Sequence, residues 1–287
     1  MTVLLTATIL LSACSSLLVP HQQKARHFSA QAGWDYGTVD APPFVLAGAL
    51  SPVRSADAPL TIYLEGDGMA YLAPRKVSGD PTPDDPVALR LALAHGGGPV
   101  AYLARPCQYV LSHSCAPAWW TTHRYAAEVV AGLNLAVDDM KRRAGAAAVI
   151  LVGYSGGGAL AVLLASRRTD VAGIVTIAAN LDLATWTQLQ GLGRLSGSLD
   201  PADVAEAIAE TPQVHFVGDR DGVVPGKVAE SYVSRSGNRG RPSLIRIAGF
   251  GHVCCWADEW KNLSHHPALA GIPGWPKDGR SGSNRGG

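Results

Sequence analysis

Charge is scarce in this chain and nearly cancels: 24 Lys and Arg stand against 23 Asp and Glu, a formal net charge of +1. Binding to a phosphate backbone draws on concentrated positive charge, so nothing in this balance calls for a nucleic-acid partner. Cysteine is sparse as well, five in 287 residues. Neither Cys107 and Cys115 nor the adjacent Cys254 and Cys255 has the spacing of a zinc ribbon, which argues against a structural metal. Long apolar runs are missing. The N-terminal one, Val3 to Leu11, is too short to cross a bilayer as a helix, and no Lys or Arg stands between Met1 and that run. There is no internal repeat, and no linker divides residues 41–267. A chain that is 47% hydrophobic and 16% charged carries enough apolar matter for one sizeable core, which excludes bulk disorder.

The N-terminal run ends in Leu11, Ser12, Ala13 and Cys14, followed by Ser15 and Ser16. Small residues before a Cys, directly after an apolar run, resemble the lipobox of bacterial lipoproteins. The resemblance implies cleavage before Cys14, a lipid on Cys14, and a chain tethered to a membrane of the bacterial cell envelope. An ordinary cleaved signal, leaving a periplasmic or secreted chain, is the second reading. The expected organisation is a signal peptide over 1–13, a linker over 14–40, a globular domain over 41–267 and a disordered tail over 268–287. Export fits the remaining four cysteines. Cys107 and Cys115 lie close together in a loop-like stretch suited to a small disulfide-closed loop. Cys254 and Cys255 are open to three readings: free buried thiols, a vicinal bridge, or cross-links to the first pair.

Within 41–267, short apolar runs alternate with helical stretches. Strands are expected at Leu60 to Leu64, Pro99 to Ala104, Ala147 to Val152, Ile174 to Ala178, Gln213 to Val217 and Leu244 to Ile247. The run ending at Val152 is apolar throughout, as in a strand buried on both faces of a parallel sheet. Helices are expected over Pro83 to His95, Arg124 to Ala144, Ala159 to Arg168 and Pro201 to Glu210. The alternation predicts one doubly wound α/β domain with a mostly parallel sheet. Leu181 to Thr211 is expected to form a short cap, and the Trp-rich loop Cys107 to Thr122 a second wall. The Trp residues near these segments (Trp119, Trp120, Trp186, Trp256) are read first as core and second as apolar substrate contacts.

The chemistry centres on Gly153, Tyr154, Ser155, Gly156 and Gly157, a G-x-S-x-G between the most apolar strand and a small-residue helix. A sharp strand-to-helix turn there would hold Ser155 at strained backbone angles, with glycines where side chains would collide. A seryl hydroxyl needs a base. His252 follows the last strand and is the best placed of nine His. His21, His27, His95, His113, His123, His265 and His266 sit less favourably, and His215, inside a strand, reads as core. The imidazole needs a carboxylate to fix its tautomer. Asp221 is preferred in the run from Gly218 to Pro225. Asp219 and Asp182 are the alternatives.

The order Ser155, Asp221, His252, each after a strand, resembles that of the α/β-hydrolase superfamily. The resemblance covers roughly residues 41–267. Adding Glu65 to Gly68, Ala104 to Tyr109 and Gly251 to Trp256, the chain resembles a group of uncharacterised bacterial lipoprotein α/β-hydrolases. The resemblance implies the α/β-hydrolase fold with a short cap, and a serine hydrolase acting on a small-molecule or lipid-like acyl substrate, esterase or lipase foremost, with no metal and no cofactor. Thioesterase and peptidase activity fit the same residues. By position, the oxyanion donors would be the backbone N–H groups of Gly156 and Asp67. Glu65 replaces the family's usual His, and Arg105 is a candidate partner for one of the two acids. The competing class is a non-catalytic envelope lipoprotein using the fold for binding. For the anchor, radioactive palmitate should label the full chain, and the label should vanish in Cys14→Ser. A variant that keeps the label excludes Cys14 as the lipid site.

Overall fold

A computed structural model describes residues 20–237 and 242–277. The expected signal segment, the lipidation candidate Cys14 and the tail from residue 278 lie outside the described residues. An eight-stranded sheet runs through the domain in the order β1-β2-β6-β3-β7-β8-β9-β10. Its first two strands, β1 (Asp35–Ala41) and β2 (Phe44–Leu50), form an antiparallel hairpin turned at Pro42 and Pro43, and β2 also runs antiparallel to its other neighbour. The remaining pairings are parallel. They join β3 (Leu60–Leu64), β6 (Val100–Leu103), β7 (Val149–Tyr154), β8 (Val171–Ile177), β9 (Gln213–Gly218) and β10 (Ser243–Ile247). A separate small hairpin, β4 (Tyr71–Ala73) with β5 (Lys76–Val77), stands beyond the end of β3.

Strand alternation divides the core into two layers. Leu60, Ile62, Leu64, Val149 and Leu151 face α3 (Ala127–Ala144) and α4 (Gly156–Ala165). Tyr63, Ile150, Val152 and Phe216 face the opposite layer, formed by α2 (Val87–Leu93) and α7 (Trp256–Leu263). With helices on both sides, every residue of β3, β6, β7 and β9 is buried. This is the doubly wound α/β arrangement expected from the sequence. The helix α3 ends as its composition dictates, with Lys141, Arg142 and Arg143 in the last turn and Gly145 in the left-handed conformation behind it.

The chain after β3 crosses to β6 on one side, and β7 lies on β3's other side. The strand order therefore reverses between β3 and β7. A crevice opens at the carboxyl ends of strands where connections leave in opposite directions, and the loops after β3 and β7 carry Asp67 and Ser155. Across from them, α5 (Leu183–Leu189) and the turn at Pro201–Val204 occupy the expected cap segment, and α6 (Lys227–Arg235) packs between cap and sheet. The stretch expected as a helix over 201–210 is a short 3-10 turn followed by further turns.

Both expected boundaries of the domain need correction. Residues 21–40, read as linker, hold α1 (His21–Gln31) and nearly all of β1, the edge strand of the sheet. Residues 268–277, read as the start of a disordered tail, are structured and packed on the core. Leu269, Ile272 and Trp275 are buried in the layer that contains Trp256 and Trp260. Trp275 stands edge-on to His95 and Trp260, and its Nε1 donates to the Ser264 carbonyl at 2.7 Å. Trp275→Ala should therefore destabilise the protein by about 3–5 kcal/mol, the range for emptying a buried Trp site. Urea unfolding would measure this. A tail residue would leave the midpoint unchanged.

Candidate active site

Ser155 stands between β7 and α4 with φ 50° and ψ −121°, an unfavourable conformation for a residue with a Cβ. Neighbouring glycines make it sterically feasible. A Cβ at Gly153 would strike the Gly157 carbonyl, one at Gly157 would strike the carbonyls of Leu64 and Glu65, and one at Gly158 the Ala179 side chain. The turn is thus pressed against the ends of β3 and β8. Its own N–H donates to the Ile177 carbonyl at 2.9 Å, which ties the turn to β8.

Around it the structure brings together the three expected side chains. His252 Nε2 lies 3.0 Å from Ser155 Oγ, and His252 Nδ1 lies 2.8 Å from Asp221 Oδ2. Asp221 is buried, and its Oδ1 accepts from the N–H groups of Val223 and Val224 at 2.9 and 2.8 Å. A carboxylate accepts and does not donate, so Nδ1 carries the proton towards Asp221 and Nε2 is left to accept from the seryl hydroxyl. Tyr154, within the G-x-S-x-G, holds the His252 segment in place. Its hydroxyl donates to the His252 carbonyl at 3.0 Å, and its ring lies 5.5 Å from the imidazole.

The alternative acids have other tasks. Asp219 Oδ1 accepts from the Gly249 N–H at 2.7 Å, bracing the turn before His252. Asp182 caps α5 through the Thr185 N–H and accepts from Ser231 Oγ at 2.7 Å. His215 is fully buried in β9 against Thr176 Oγ1, and burial lowers its pKa to about 3, as suits a core residue. His95 is bound to the Tyr63 hydroxyl, and His123 to Thr122. The sulfurs of Cys107 and Cys115 are bonded to each other, and so are those of Cys254 and Cys255. Among the described residues, no group of three or more His, Cys, Asp or Glu is placed to hold a metal ion.

Two acids follow β3 beside the elbow, and they are handled differently. Asp67 Oδ1 is paired with Arg105 and accepts from the Tyr125 hydroxyl at 3.1 Å, while Oδ2 is paired with Arg124 at 2.5 Å. Burial pushes its pKa up, but the two guanidinium groups outweigh burial and hold it at about 2. Tyr125 donates to Asp67 and so accepts from Asn180 Nδ2 at 3.3 Å. This lattice lies against the elbow, because a Cβ at Gly156 would collide with Asp67 Oδ1 and Arg105 Nη1. Among the described residues neither the Asp67 nor the Gly156 N–H is taken up by another group. Arg124, Tyr125, Asn180 and Tyr154 escaped sequence reasoning. Their partners lie tens of residues away, and no local spacing marks them.

The second acid, Glu65, is buried at the end of β3. Its Oε1 accepts from the N–H groups of Gly66 and Ala88 at 2.9 and 3.2 Å, and its Oε2 from the Tyr102 hydroxyl at 3.1 Å. Burial without a cation raises its pKa to about 7, against the smaller lowering by these hydrogen bonds.

Above the serine lies a cleft of about 1030 Å³ bounded by the loop after β3, the β4–β5 hairpin, the cap and the loops carrying Val223 and His252. Its charged lining comprises Glu65, the paired Asp67 and Arg124, and Arg75, Asp84, Asp85 and Arg194.

No family model matches the chain, and no curated protein matches it. Solved structures do. An esterase from Pyrococcus furiosus superposes with a TM-score of 0.57 at 14% identity, covering 84% of this chain and 92% of the other. A Xanthomonas campestris protein, described as an α/β serine hydrolase without lid, gives 0.54 at 15% identity over 84% and 94%. A puromycin-hydrolysing peptidase of Mycobacterium tuberculosis gives 0.61 at 14% identity; there the match covers 86% of this chain but 40% of the peptidase. The shared architecture is the α/β-hydrolase fold, and this chain has it.

The raised pKa of Glu65 has a signed consequence. Between its ordinary value of 4.5 and about 7, the folded state keeps a proton that the unfolded state releases. The contribution is therefore complete below pH 4.5 and lost as pH rises through 7, amounting to about 3 kcal/mol. Glu65→Gln, which stays neutral, should gain stability relative to wild type by about that amount between roughly pH 5 and pH 8. Parallel urea denaturation at the two pH values measures it. Equal pH dependence in both proteins would show that Glu65 does not hold the proton.

Proposed function

We propose that the protein is a serine hydrolase that transfers an acyl group from an ester-like bond to water. The observation that carries this reading is the continuous contact from Asp221 through His252 to Ser155, at 2.8 and 3.0 Å, at the floor of an open cleft. Ser155 Oγ attacks the carbonyl carbon as its proton passes to His252 Nε2. Asp221 holds the imidazole in the accepting tautomer and offsets the charge of the imidazolium. The N–H groups of Gly156 and Asp67 receive the developing oxyanion. His252 then returns the proton to the leaving oxygen and the acyl-enzyme is left; water gives a proton to the same imidazole as it attacks the acyl carbon, and the imidazolium passes that proton to Ser155 Oγ as the acid departs.

The paired Asp67 serves this chemistry indirectly. Its negative charge beside an oxyanion would raise the energy of the intermediate, and Arg105 and Arg124 neutralise it there. Ester substrates are favoured within this reading, and the resemblance to hydrolases of the same fold, an esterase and a peptidase among them, supports it at the level of reaction class. Anchoring to the bacterial cell envelope through Cys14 belongs to the same proposal and would hold the enzyme at a membrane without embedding it.

A fluorophosphonate should label the wild-type protein at Ser155 and leave Ser155→Ala unlabelled. Asp221→Asn should fold normally and lose about 10⁴-fold in kcat on an activated ester, through the wrong imidazole tautomer. Equal labelling of wild type and Ser155→Ala, or full activity in Asp221→Asn, overturns the assignment.

A further inference from the structure

Among the described residues ten large hydrophobic side chains are exposed. Scattered singly, such residues are ordinary. Here five of them border one opening: Tyr71 and Leu72 on the β4–β5 hairpin, Leu192 in the cap, Val223 after β9 and Val253 beside His252 all line the cleft over Ser155. Leu72, Leu192, Val223 and Val253 are each at least 50% exposed. They come from four segments far apart in sequence, so no single element's amphipathicity places them together. Trp186 extends the same wall. It lies within the cap at 8% exposure, with its Nε1 spent on the Val223 carbonyl at 2.8 Å, so the indole has no polar group left for water or substrate.

Apolar side chains gathered around a reactive serine are complementary to something apolar that approaches with the scissile bond. We infer that this wall receives the acyl chain of the substrate, and that the enzyme acts on medium- to long-chain acyl esters in preference to acetates. The inference rests on the serine-hydrolase reading and specifies its substrate class. The occupant follows from continuity. These apolar residues line the same cleft as Ser155 and His252, so a chain lying on them can belong to the carbonyl being attacked. Of the charged groups lining the cleft, Arg124 is held by Asp67, and Arg75, Asp84 and Arg194 are exposed to solvent. The volume of about 1030 Å³ stands at the upper end of small-molecule sites, roughly 300–1,000 Å³, which suits a chain more than a two-carbon acyl group.

The test is a series of p-nitrophenyl esters, acetate, butyrate, octanoate and laurate, each kept below its aggregation limit. A fully buried methylene is worth about 0.8 kcal/mol, or roughly fourfold in kcat/KM. Partial burial on an open wall should still raise kcat/KM at least about tenfold from acetate to octanoate. The double variant Leu72→Ser, Leu192→Ser should cut the octanoate-to-acetate ratio by about tenfold. Leu135→Ser, exposed on α3 and outside the cleft, should leave that ratio at its wild-type value. A second readout is independent of turnover. Ser155→Ala should bind dansyl-undecanoic acid, and adding the two serines should weaken that binding by a similar factor. A flat or falling chain-length profile in a protein whose Ser155 still labels with fluorophosphonate overturns the acyl-chain assignment and leaves the hydrolase reading standing. An unchanged ratio in the double variant overturns it as well. Absence of both labelling and turnover overturns the hydrolase reading and the substrate assignment with it.

Discussion

The turn between β7 and α4 is so tight that no side chain fits at Gly153, and it is pressed so closely onto the ends of β3 and β8 that none fits at Gly157 or Gly158. Much of the site follows from that contact. It places Ser155 at positive φ on top of the sheet, where its Oγ leaves the backbone free to start α4. It brings the loop after β3 against the first turn of α4, so that the Asp67 and Gly156 N–H groups belong to one site although they are 89 residues apart in sequence. A strained residue persists where its surroundings over-determine it. Here those surroundings are β3 and the carboxyl-terminal part of β8, both buried, whose alternating side chains fill both layers of the core. The energy that keeps the serine in place is therefore spread over the whole domain and not stored in the turn.

The same closeness creates an electrostatic problem, because the loop after β3 carries two acids into a poorly hydrated place. Two solutions stand next to each other. Asp67 is given two guanidinium groups and a hydroxyl and stays ionised. Glu65 is given two N–H groups and a phenol but no cation, so burial prevails and its proton is retained to near neutral pH. A buried carboxylate is expensive unless paired, and each residue escapes that cost by a different route. The result is a site whose floor carries little net charge. That suits a reaction in which a new anion forms on the substrate oxygen.

Much of this is legible in the sequence. The buried parallel strands announce themselves as apolar runs such as Val149 to Val152, and the order of Ser155, Asp221 and His252 marks loops at one end of a sheet. The structure places these three in contact. What escaped was the matter with no local pattern. The edge strand β1 is half exposed, with the burial sequence of an element wetted on one face, and it carries Asp, Gly and Thr among its seven residues. The helix α1 buries little beyond Ala25 and Ser29. Neither has the periodicity that marks a core element, and both look like linker. Trp275 lies among Gly, Pro and Lys, and composition calls such a segment a tail. Its burial depends on a pocket made by His95, Trp260 and Ser264, which only the folded chain assembles. Arg124 reads as the first residue of a helix, and its bond to Asp67 spans 57 positions. Long-range pairing is invisible to a reading built on spacing.

The mouth of the cleft illustrates the reverse case, in which a departure from the economy of folding points outward. Exposed Leu72, Leu192, Val223 and Val253 add nothing to the core clusters. The hairpin that carries Leu72 is short and solvent-facing on every residue. Folding alone would be served as well by polar side chains at these positions, with a gain in solubility. The interior of the site is organised on the opposite principle, with nearly every polar group of Asp67, Glu65, Asp221 and Tyr125 matched to a partner. One cleft thus contains two zones of opposite character. A floor of paired carboxylates and hydroxyls holds Ser155 and His252 in place, with the Asp67 and Gly156 N–H groups left open. The apolar rim, by contrast, stays exposed among the described residues.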